Sequence, residues 1–417
     1  MRIDFRHFRN ASWLGLGQVI QRGFGFLLAA VISRKLGAAT LGEYSLFLAA
    51  SQLMIAFIDS GSRYTGARLV ARFPDAAHAL IAPVQRMRVK LALAALAPLA
   101  VYAVFLSPEV RWWVVLYACS TLPYALRLDW WAWGAEKFSV MGLAPSLTSA
   151  ISTCLAVLAI LWRRDLWAWV LILGNGLGQG VTALWIKWRL RILPQMNSTE
   201  LAQAIRAELH WRRIGIVGLA VILNQILQSS GIYVLGLLAL PAVVGFYGGA
   251  YRLFYVILAG FYLILQAAYP AASRLRDGAD RWRYGIVGLG LVLLAGAGGG
   301  LILYFLAPWL VAFVYGRNLL PAVPVLRALA WLLPLDMACS ILATFLVAVS
   351  GEFYLLCALL LVLSSNILLC WLWRFQGALG AADAMIAAYA FFFALLFFLY
   401  RRHCLQLQPD QARSAAI

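Results

Sequence analysis

The chain has 417 residues, of which 64% are apolar and only 12% are charged. A soluble protein carries roughly 25% charged residues, so this composition excludes a string of soluble domains. The net charge of +18, from 34 basic and 16 acidic residues, is compatible with two classes of protein. Either the chain binds nucleic acid, or its basic loops orient it in a membrane.

Apolar runs between charged or Pro/Gly-containing segments predict twelve membrane-spanning helices, because a helix of about 20 predominantly apolar residues crosses a bilayer. The first run follows three arginines, as in a signal peptide, but it is long and interrupted by polar residues. We therefore interpret it as a retained helix. The predicted spans are residues 12–33, 41–62, 89–106, 111–132, 143–162, 166–186, 214–238, 246–269, 284–306, 325–348, 353–373 and 378–400.

The basic residues are distributed unequally between the two sides of the membrane. With the N-terminus in the cytoplasm, 23 Lys and Arg residues lie on the cytoplasmic side and 7 lie on the opposite side. Cytoplasmic loops of membrane proteins carry this excess of positive charge. The distribution predicts that both termini are cytoplasmic, and it accounts for most of the net charge without nucleic acid as a partner.

The longest polar segment, residues 191–213, lies between the sixth and seventh spans. Its apolar residues recur at helical spacing after Ser198, which predicts an amphipathic linker helix on the cytoplasmic membrane surface. This linker divides the chain into an N-terminal six-helix lobe, residues 1–190, and a C-terminal six-helix lobe, residues 214–417.

The two predicted lobes share short sequence patterns in the same order. Gln18-Val-Ile-Gln21 parallels Gln225-Ile-Leu-Gln228, and Gly42-Glu-Tyr44 parallels Gly245-Phe-Tyr247. Because each lobe has an even number of spans, both enter the membrane from the same side. The pattern predicts two bundles related by a pseudo-two-fold axis along the membrane normal, with a substrate path between them.

Three segments carry a family resemblance. The first holds Ile32-Ser33-Arg34-Lys35-Leu36-Gly37 and Asp59-Ser60-Gly61, the second is Trp130-Trp-Ala-Trp-Gly134-Ala-Glu136-Lys137, and the third holds Ala250-Tyr-Arg252-Leu253 and Pro270. Together they resemble O-antigen flippases of the Wzx type, in the multidrug/oligosaccharidyl-lipid/polysaccharide exporter superfamily. The second segment has Trp133 where the family usually has Gln. Gly231 lies near a position where members often have Asp.

This resemblance implies an all-α integral membrane protein with two six-helix bundles, located in the bacterial cytoplasmic membrane. It implies a flippase that moves an undecaprenyl-pyrophosphate-linked oligosaccharide from the inner to the outer leaflet by alternating access. Membrane lipids and other polysaccharide-assembly proteins are the further partners that it implies. The sequence has no HExxH, CxxC or GxxxxGK[ST] motif, so we expect no metal, nucleotide or other cofactor.

Polar residues inside the predicted spans are the candidate site residues. A charged side chain at membrane depth costs about 2.5–3.5 kcal/mol, so it tends to face a cavity or a partner. A guanidinium can bind a phosphate through two parallel hydrogen bonds. The candidates for binding substrate are Arg22, Arg252, Arg127, Gln18, Asn224, Gln225 and Gln228. The alternative for the arginines is structural, namely pairing with an acid or with carbonyl groups at a helix break.

Several charged residues have more than one interpretation. Arg127 has Asp129 as a possible counter-ion, and Arg327 lies near a span end, where its side chain could reach the interface. Asp59 could pair with Arg63, four residues later on a helix, or it could titrate in an ion-coupled transport cycle.

Two other functions stay open at this point. A small-molecule or drug exporter of the same superfamily would favour a cavity dominated by acids, whereas this chain supplies arginines. A membrane glycan-processing enzyme would place catalytic residues in a sizeable outer loop. The longest predicted outer loop, residues 307–324, has Arg317 as its only charged residue.

Overall fold

The computed structural model describes residues 5–190, 211–274, 278–348 and 352–406, and these residues form helices and turns without a strand. The helices of the first part are α1 (Phe5–Leu36), α2 (Ala38–Asp59), α3 (Ser62–Arg72), α4 (Ile81–Val104), α5 (Pro108–Cys119), α6 (Asp129–Gly134), α7 (Phe138–Trp162) and α8 (Trp167–Arg189). Those of the second part are α9 (Trp211–Leu238), α10 (Pro241–Arg274), α11 (Gly278–Tyr315), α12 (Val323–Ala348), α13 (Glu352–Leu372) and α14 (Gly377–Gln406).

Within the described ranges, eleven helices are long and apolar enough to cross a membrane. Each of them overlaps one predicted span, so eleven of the twelve predicted spans are confirmed. Residues 191–210 of the predicted linker lie outside the described part of the chain, and α9 begins directly after them at Trp211.

The fourth predicted span, residues 111–132, is wrong as a continuous helix. Helix α5 ends at Cys119, a 3₁₀ turn follows over Leu122–Leu126, and the backbone is extended at Arg127 before α6 begins. Pro123 is one physical reason, because proline has no N–H to donate and clashes with the preceding turn of an α-helix. The apolar composition of this run concealed the break.

Carbonyl groups that leave the helical hydrogen-bond pattern at such a break need other partners, because leaving a buried polar group unpaired costs about 1–3 kcal/mol. Two side chains of α4, one turn apart on the same face, supply donors. Gln85 Nε2 donates to the carbonyl oxygen of Leu126 at 2.9 Å, and Arg88 Nη2 approaches that of Tyr124 at 3.5 Å. Helix α4 therefore stabilises the segment between α5 and α6, residues 120–128, which we call the broken segment.

Arg88 also joins the broken segment to the end of α2. Its fully buried guanidinium forms an ion pair with Asp59, with 3.0 Å between Nη2 and Oδ1. The Tyr124 hydroxyl donates to the other carboxylate oxygen of Asp59 at 2.9 Å. Asp59 thus connects α2, α4 and the 3₁₀ turn.

The predicted outer loop 307–324 is also wrong. Helix α11 continues to Tyr315 with Pro308 inside it, and a 3₁₀ turn occupies Arg317–Ala322. The helix ends at Gly316, whose φ of 84° is a backbone conformation that glycine adopts readily. Tyr315 and Leu319 on either side are buried, so this segment is packed rather than extended into solvent.

The chain forms two compact units. The first unit comprises Met1–Gly37 and Leu46–Gln225, and the second comprises Ala38–Ser45 and Ile226–Ile417. In the first unit α7 packs against α1 and α8, and in the second α12 packs against α10, α11 and α14. The boundaries fall inside α2 and α9, so the predicted lobes with a separate linker between them stay a prediction.

The contact between α1 and α7 depends on two glycines. A Cβ atom added at Gly17 would collide with the carbonyl group of Gly142, and one added at Gly142 would collide with that of Trp13. Ser146 Oγ donates to the carbonyl oxygen of Gly17 at 2.8 Å across the same contact. The two backbones therefore approach each other more closely than any side chain would allow.

We predict that Gly17→Ala lowers the melting temperature of the purified protein, because overpacking costs about 1–3 kcal/mol. Gly15→Ala is the matched control, since a Cβ atom there meets no atom within 4 Å and alanine favours the helix. Thermal unfolding in detergent measures both variants. A Gly17→Ala variant as stable as Gly15→Ala would contradict the close approach.

We further predict that Arg88→Ala strongly destabilises the protein, because removing one partner of a buried ion pair costs about 3–5 kcal/mol. Arg86→Ala is the control, since Arg86 is exposed on the same helix and donates only to the carbonyl oxygen of Ala82. Amounts of folded protein after gel filtration should fall for Arg88→Ala and stay unchanged for Arg86→Ala. Adding Asp59→Ala to Arg88→Ala should recover part of the loss.

Candidate functional site

The first unit contains a cluster of charged side chains, here called the arginine cluster: Arg63, Arg88 and Arg127 with Asp59 and Asp129. Arg88 and Arg127 lie over the buried ring of Tyr124. The guanidinium carbon of Arg88 lies 5.1 Å from the ring centroid, and that of Arg127 lies 4.9 Å from it. Cations this close to an aromatic ring are attracted by its quadrupole.

Arg127 is almost completely engaged by its neighbours. Its Nη2 lies 2.9 Å from the Asp129 carboxylate, the counter-ion that the sequence suggested. Its Nη1 donates to Gln179 at 3.0 Å and approaches Thr148 Oγ1 at 3.4 Å. The side chain is 3% exposed. These contacts join the broken segment to α7 and α8, and they favour the structural interpretation of Arg127; its role in binding substrate stays a prediction.

Asp59 contacts more partners than the sequence indicated. The predicted pair with Arg63 is present at 3.8 Å, but the shorter contact is with Arg88. Sequence reasoning assigned Arg88 to a basic loop because α4 begins earlier than the predicted third span. The available signal was its spacing, since Arg88 lies in helical register with Val84 and Ala92, which are also buried.

Arg63 differs from the other two arginines because its side chain is 40% exposed. Burial of part of the group lowers the pKa of the Arg63 guanidinium, but Tyr124 and the carboxylates of Asp59 and Asp129 outweigh this effect and raise it above the ordinary value. The group therefore stays positively charged at any physiological pH.

Arg252 in the second unit lies in a different environment. This half-buried side chain on α10 places its guanidinium carbon 4.9 Å from the ring centroid of Tyr44. Its Nη1 is buried and has no hydrogen-bond partner among the described residues. Among the described residues, an aromatic face rather than a carboxylate therefore contacts the guanidinium of Arg252, and its buried Nη1 has no acceptor there.

Close contact between α2 and α10 brings Tyr44 to Arg252. A Cβ atom at Gly42 would collide with the carbonyl group of Pro241, and one at Gly245 with that of Ala38. These two glycines open the Gly-x-Tyr patterns that the sequence showed in both predicted lobes. The repeat thus marks a place where small residues let two helices approach.

The other predicted residues are distributed over both units. Arg22 and Gln18 are half-buried on α1, Asn224 is exposed on α9, and Gln225 and Gln228 are half-buried there. Their grouping around one substrate path stays a prediction.

Arg327 on α12 lies 5.0 Å from the ring centroid of Tyr304 and donates weakly to the backbone carbonyl oxygen of the same tyrosine. It therefore has a backbone partner that Arg252 lacks among the described residues.

Among the described residues, no three His, Cys, Asp or Glu side chains come together as a metal site.

Comparisons with solved structures identify the fold. The chain is similar to the lipid II flippase MurJ in an inward closed conformation, with a TM-score of 0.67, 12% identity and coverage of 94% of this chain and 89% of that one. It is similar to a multidrug resistance MATE family transporter of the MOP superfamily, with a TM-score of 0.72, 14% identity and coverage of 93% and 95% for the inward-facing structure. It is also similar to an outward-facing structure of such a transporter, with a TM-score of 0.60, 14% identity and coverage of 96% of each chain.

At these identities the similarity defines the fold, which confirms the all-α, two-bundle membrane architecture implied by the exporter superfamily. No curated protein matches the sequence significantly. The model of the family described as "Polysaccharide biosynthesis protein" matches residues 7–276, a segment that includes the arginine cluster and Arg252. Because this match spans well over half of the chain, the protein belongs to the polysaccharide biosynthesis protein family.

Proposed function

We propose that the protein is a flippase, not an enzyme, for an undecaprenyl-pyrophosphate-linked oligosaccharide such as an O-antigen or exopolysaccharide repeat unit. It moves this lipid from the inner to the outer leaflet of the bacterial cytoplasmic membrane by alternating access, with both termini in the cytoplasm. Membership of the polysaccharide biosynthesis family supports this proposal, as does the fold shared with a lipid II flippase.

The observation that carries the proposal is the state of Arg252. Its guanidinium lies within a membrane-spanning helix, stacks on Tyr44, and keeps a buried N–H group without an acceptor among the described residues. We propose that a pyrophosphate oxygen is the acceptor, because guanidinium and phosphate form short, charge-assisted hydrogen bonds. Such a bond contributes about 1.5–3 kcal/mol.

We assign different roles to the arginines according to their partners. Arg127 has a carboxylate, an amide and a hydroxyl group around it, so we propose that it maintains the broken segment. Arg252 binds the pyrophosphate, together with Arg22 on α1. The polar side chains Gln18, Asn224, Gln225 and Gln228 offer hydrogen bonds to sugar hydroxyl groups along the path.

The membrane potential can drive the outward movement. Moving one charge through 100 mV is worth about 2.3 kcal/mol. A pyrophosphate with about two negative charges therefore gains roughly twice that amount when it leaves an inside-negative cell. This mechanism does not need an acid that titrates, which fits the contacts of Asp59 with Arg88 and Tyr124.

A small-molecule exporter is the second candidate, and the similarity to MATE transporters favours it. Cationic drugs would be repelled by an unpaired guanidinium such as that of Arg252. The charge of the candidate site therefore argues for an anionic substrate.

We predict that Arg252→Ala abolishes polysaccharide assembly, because the pyrophosphate loses its charge-assisted contact, while Arg252→Lys retains part of the activity. Arg327→Ala is the matched control, since Arg327 also stacks on a tyrosine but already has a backbone acceptor. Surface polysaccharide is measured in cells that depend on each variant, with membrane abundance measured by immunoblot. Arg22→Ala should behave like Arg252→Ala.

Full polysaccharide assembly by the Arg252→Ala variant would contradict the proposed pyrophosphate contact. If this variant instead changed resistance to toxic small molecules and left polysaccharide unaffected, the exporter would be the correct function. Loss of activity with an equal loss of protein from the membrane would assign Arg252 a structural role.

A further inference from the structure

An exposed group of side chains adjoins the arginine cluster in the first unit, away in sequence from Arg252. It consists of Arg63 and Tyr64 at the start of α3 and Trp133 in α6, and we refer to it as the aromatic–arginine site. The guanidinium carbon of Arg63 lies 5.1 Å from the Trp133 ring centroid. Tyr64 meets the same indole edge-on, with 5.4 Å between ring centroids.

Arg63 provides the surplus charge of the arginine cluster. Arg88 and Arg127 are each within 3.0 Å of a carboxylate, Asp59 and Asp129 respectively. Arg63 shares Asp59 with Arg88 at the longer distance of 3.8 Å, and its Nε has no hydrogen-bond partner among the described residues. Three guanidinium groups thus face two carboxylates, and the excess positive charge lies on the arginine that is exposed.

The aromatic side chains beside Arg63 are held in place by tight helix packing. A Cβ atom at Gly66 would lie 2.5 Å from the Trp130 ring, and one at Gly134 would collide with the carbonyl group of Ala67. Helix α6 therefore cannot shift relative to α3 without losing these contacts. Trp133 is half-buried by this packing, while Tyr64 is 55% exposed.

We propose that the aromatic–arginine site binds the glycosyl-phosphate part of the lipid-linked substrate before transport. The phosphate contacts Arg63, and the sugar attached to it packs its apolar C–H face against Trp133 and Tyr64. An aromatic surface next to a cation is complementary to a sugar joined directly to a phosphate, and Arg63 and Trp133 provide this pair in direct contact.

This inference rests on the proposed function, including the cytoplasmic location of α3, where a substrate made inside the cell would arrive. The phosphate of a phospholipid headgroup would also bind the guanidinium of Arg63, but such a headgroup has no sugar ring that could pack against Trp133. The contribution of the aromatic rings therefore distinguishes the substrate from an ordinary anionic lipid.

The test uses the full-length protein in nanodiscs of phosphatidylcholine and two probes with the same prenyl chain. One probe is a prenyl pyrophosphate, and the other is a prenyl-pyrophosphoryl N-acetylglucosamine. We expect Trp133→Ala to weaken binding of the sugar-bearing probe by about tenfold, with less than about twofold change for the sugar-free probe, because only the sugar loses the aromatic surface against which it packs. Trp133→Phe should retain most of the affinity.

Arg63→Gln should weaken binding of both probes by about tenfold, since it removes a charge-assisted contact. Two controls match these variants: Arg68→Gln, an exposed arginine on the same helix, and Trp162→Ala, an exposed tryptophan at the end of α7. Both should bind the probes as the unmodified protein does.

Equal effects of Trp133→Ala on the two probes, or no effect, would overturn the inference while leaving the proposed function intact. An Arg68→Gln effect as large as that of Arg63→Gln would also overturn it, because a diffuse surface charge would then explain binding. Failure of the unmodified protein to bind either probe would contradict the proposed substrate class itself, and the inference with it.

Discussion

The cost of an unpaired buried polar group governs the arrangement of the first unit. Where the fourth predicted span breaks, the carbonyl group of Leu126 leaves the helical hydrogen-bond pattern, while that of Tyr124 accepts from the N–H of Arg127 at 3.0 Å within the 3₁₀ turn. Gln85 of α4 donates to the carbonyl oxygen of Leu126, and Arg88, one turn later, adds a longer contact to that of Tyr124. Burying Arg88 then requires a carboxylate, which Asp59 at the end of α2 supplies. One interruption of a helix is thus connected to polar residues on two other helices, α4 and α2.

The same cost separates arginines that maintain structure from arginines that can bind a ligand. Arg88 and Arg127 are fully buried and closely paired with carboxylates, and pulling either away would leave an uncompensated buried charge, at about 3–5 kcal/mol. Arg252 lies over the ring of Tyr44 and has no carboxylate partner among the described residues, and Arg63 lies over Trp133 with only a longer contact to Asp59. An aromatic ring stabilises a cation by only about 0.5–2 kcal/mol and carries no net charge. Within the described ranges, Arg252 therefore has no competing anion that a bound phosphate would displace.

The sequence predicts those features of the structure that composition alone determines. It does not predict those that depend on contacts between residues distant in sequence. Eleven spans follow from the length of apolar runs, because a bilayer requires that length of any helix that crosses it. The fourth run is apolar as well, yet it is interrupted near Pro123. Beyond the turn, Arg127 and Asp129 form a buried ion pair. The contact of Arg127 with Asp129 was predictable because the two are neighbours in sequence. The pairing of Arg88 with Asp59 joins residues 29 positions apart, and no local pattern specifies it.

A transporter must release what it binds, and this requirement explains why its ligand-binding cations should rest on aromatic rings. If Tyr44 were a carboxylate, Arg252 would be neutralised, and the proposed pyrophosphate substrate would meet a negative charge beside this donor. If Arg252 had several further cations beside it, the pyrophosphate would be held too tightly to leave. A single guanidinium on a tyrosine offers about 1.5–3 kcal/mol per bond, which is comparable to the roughly 4.6 kcal/mol that the membrane potential supplies to a doubly charged group at 100 mV. In the proposed mechanism, the available driving force can reverse binding of this strength without a chemical step to free the lipid.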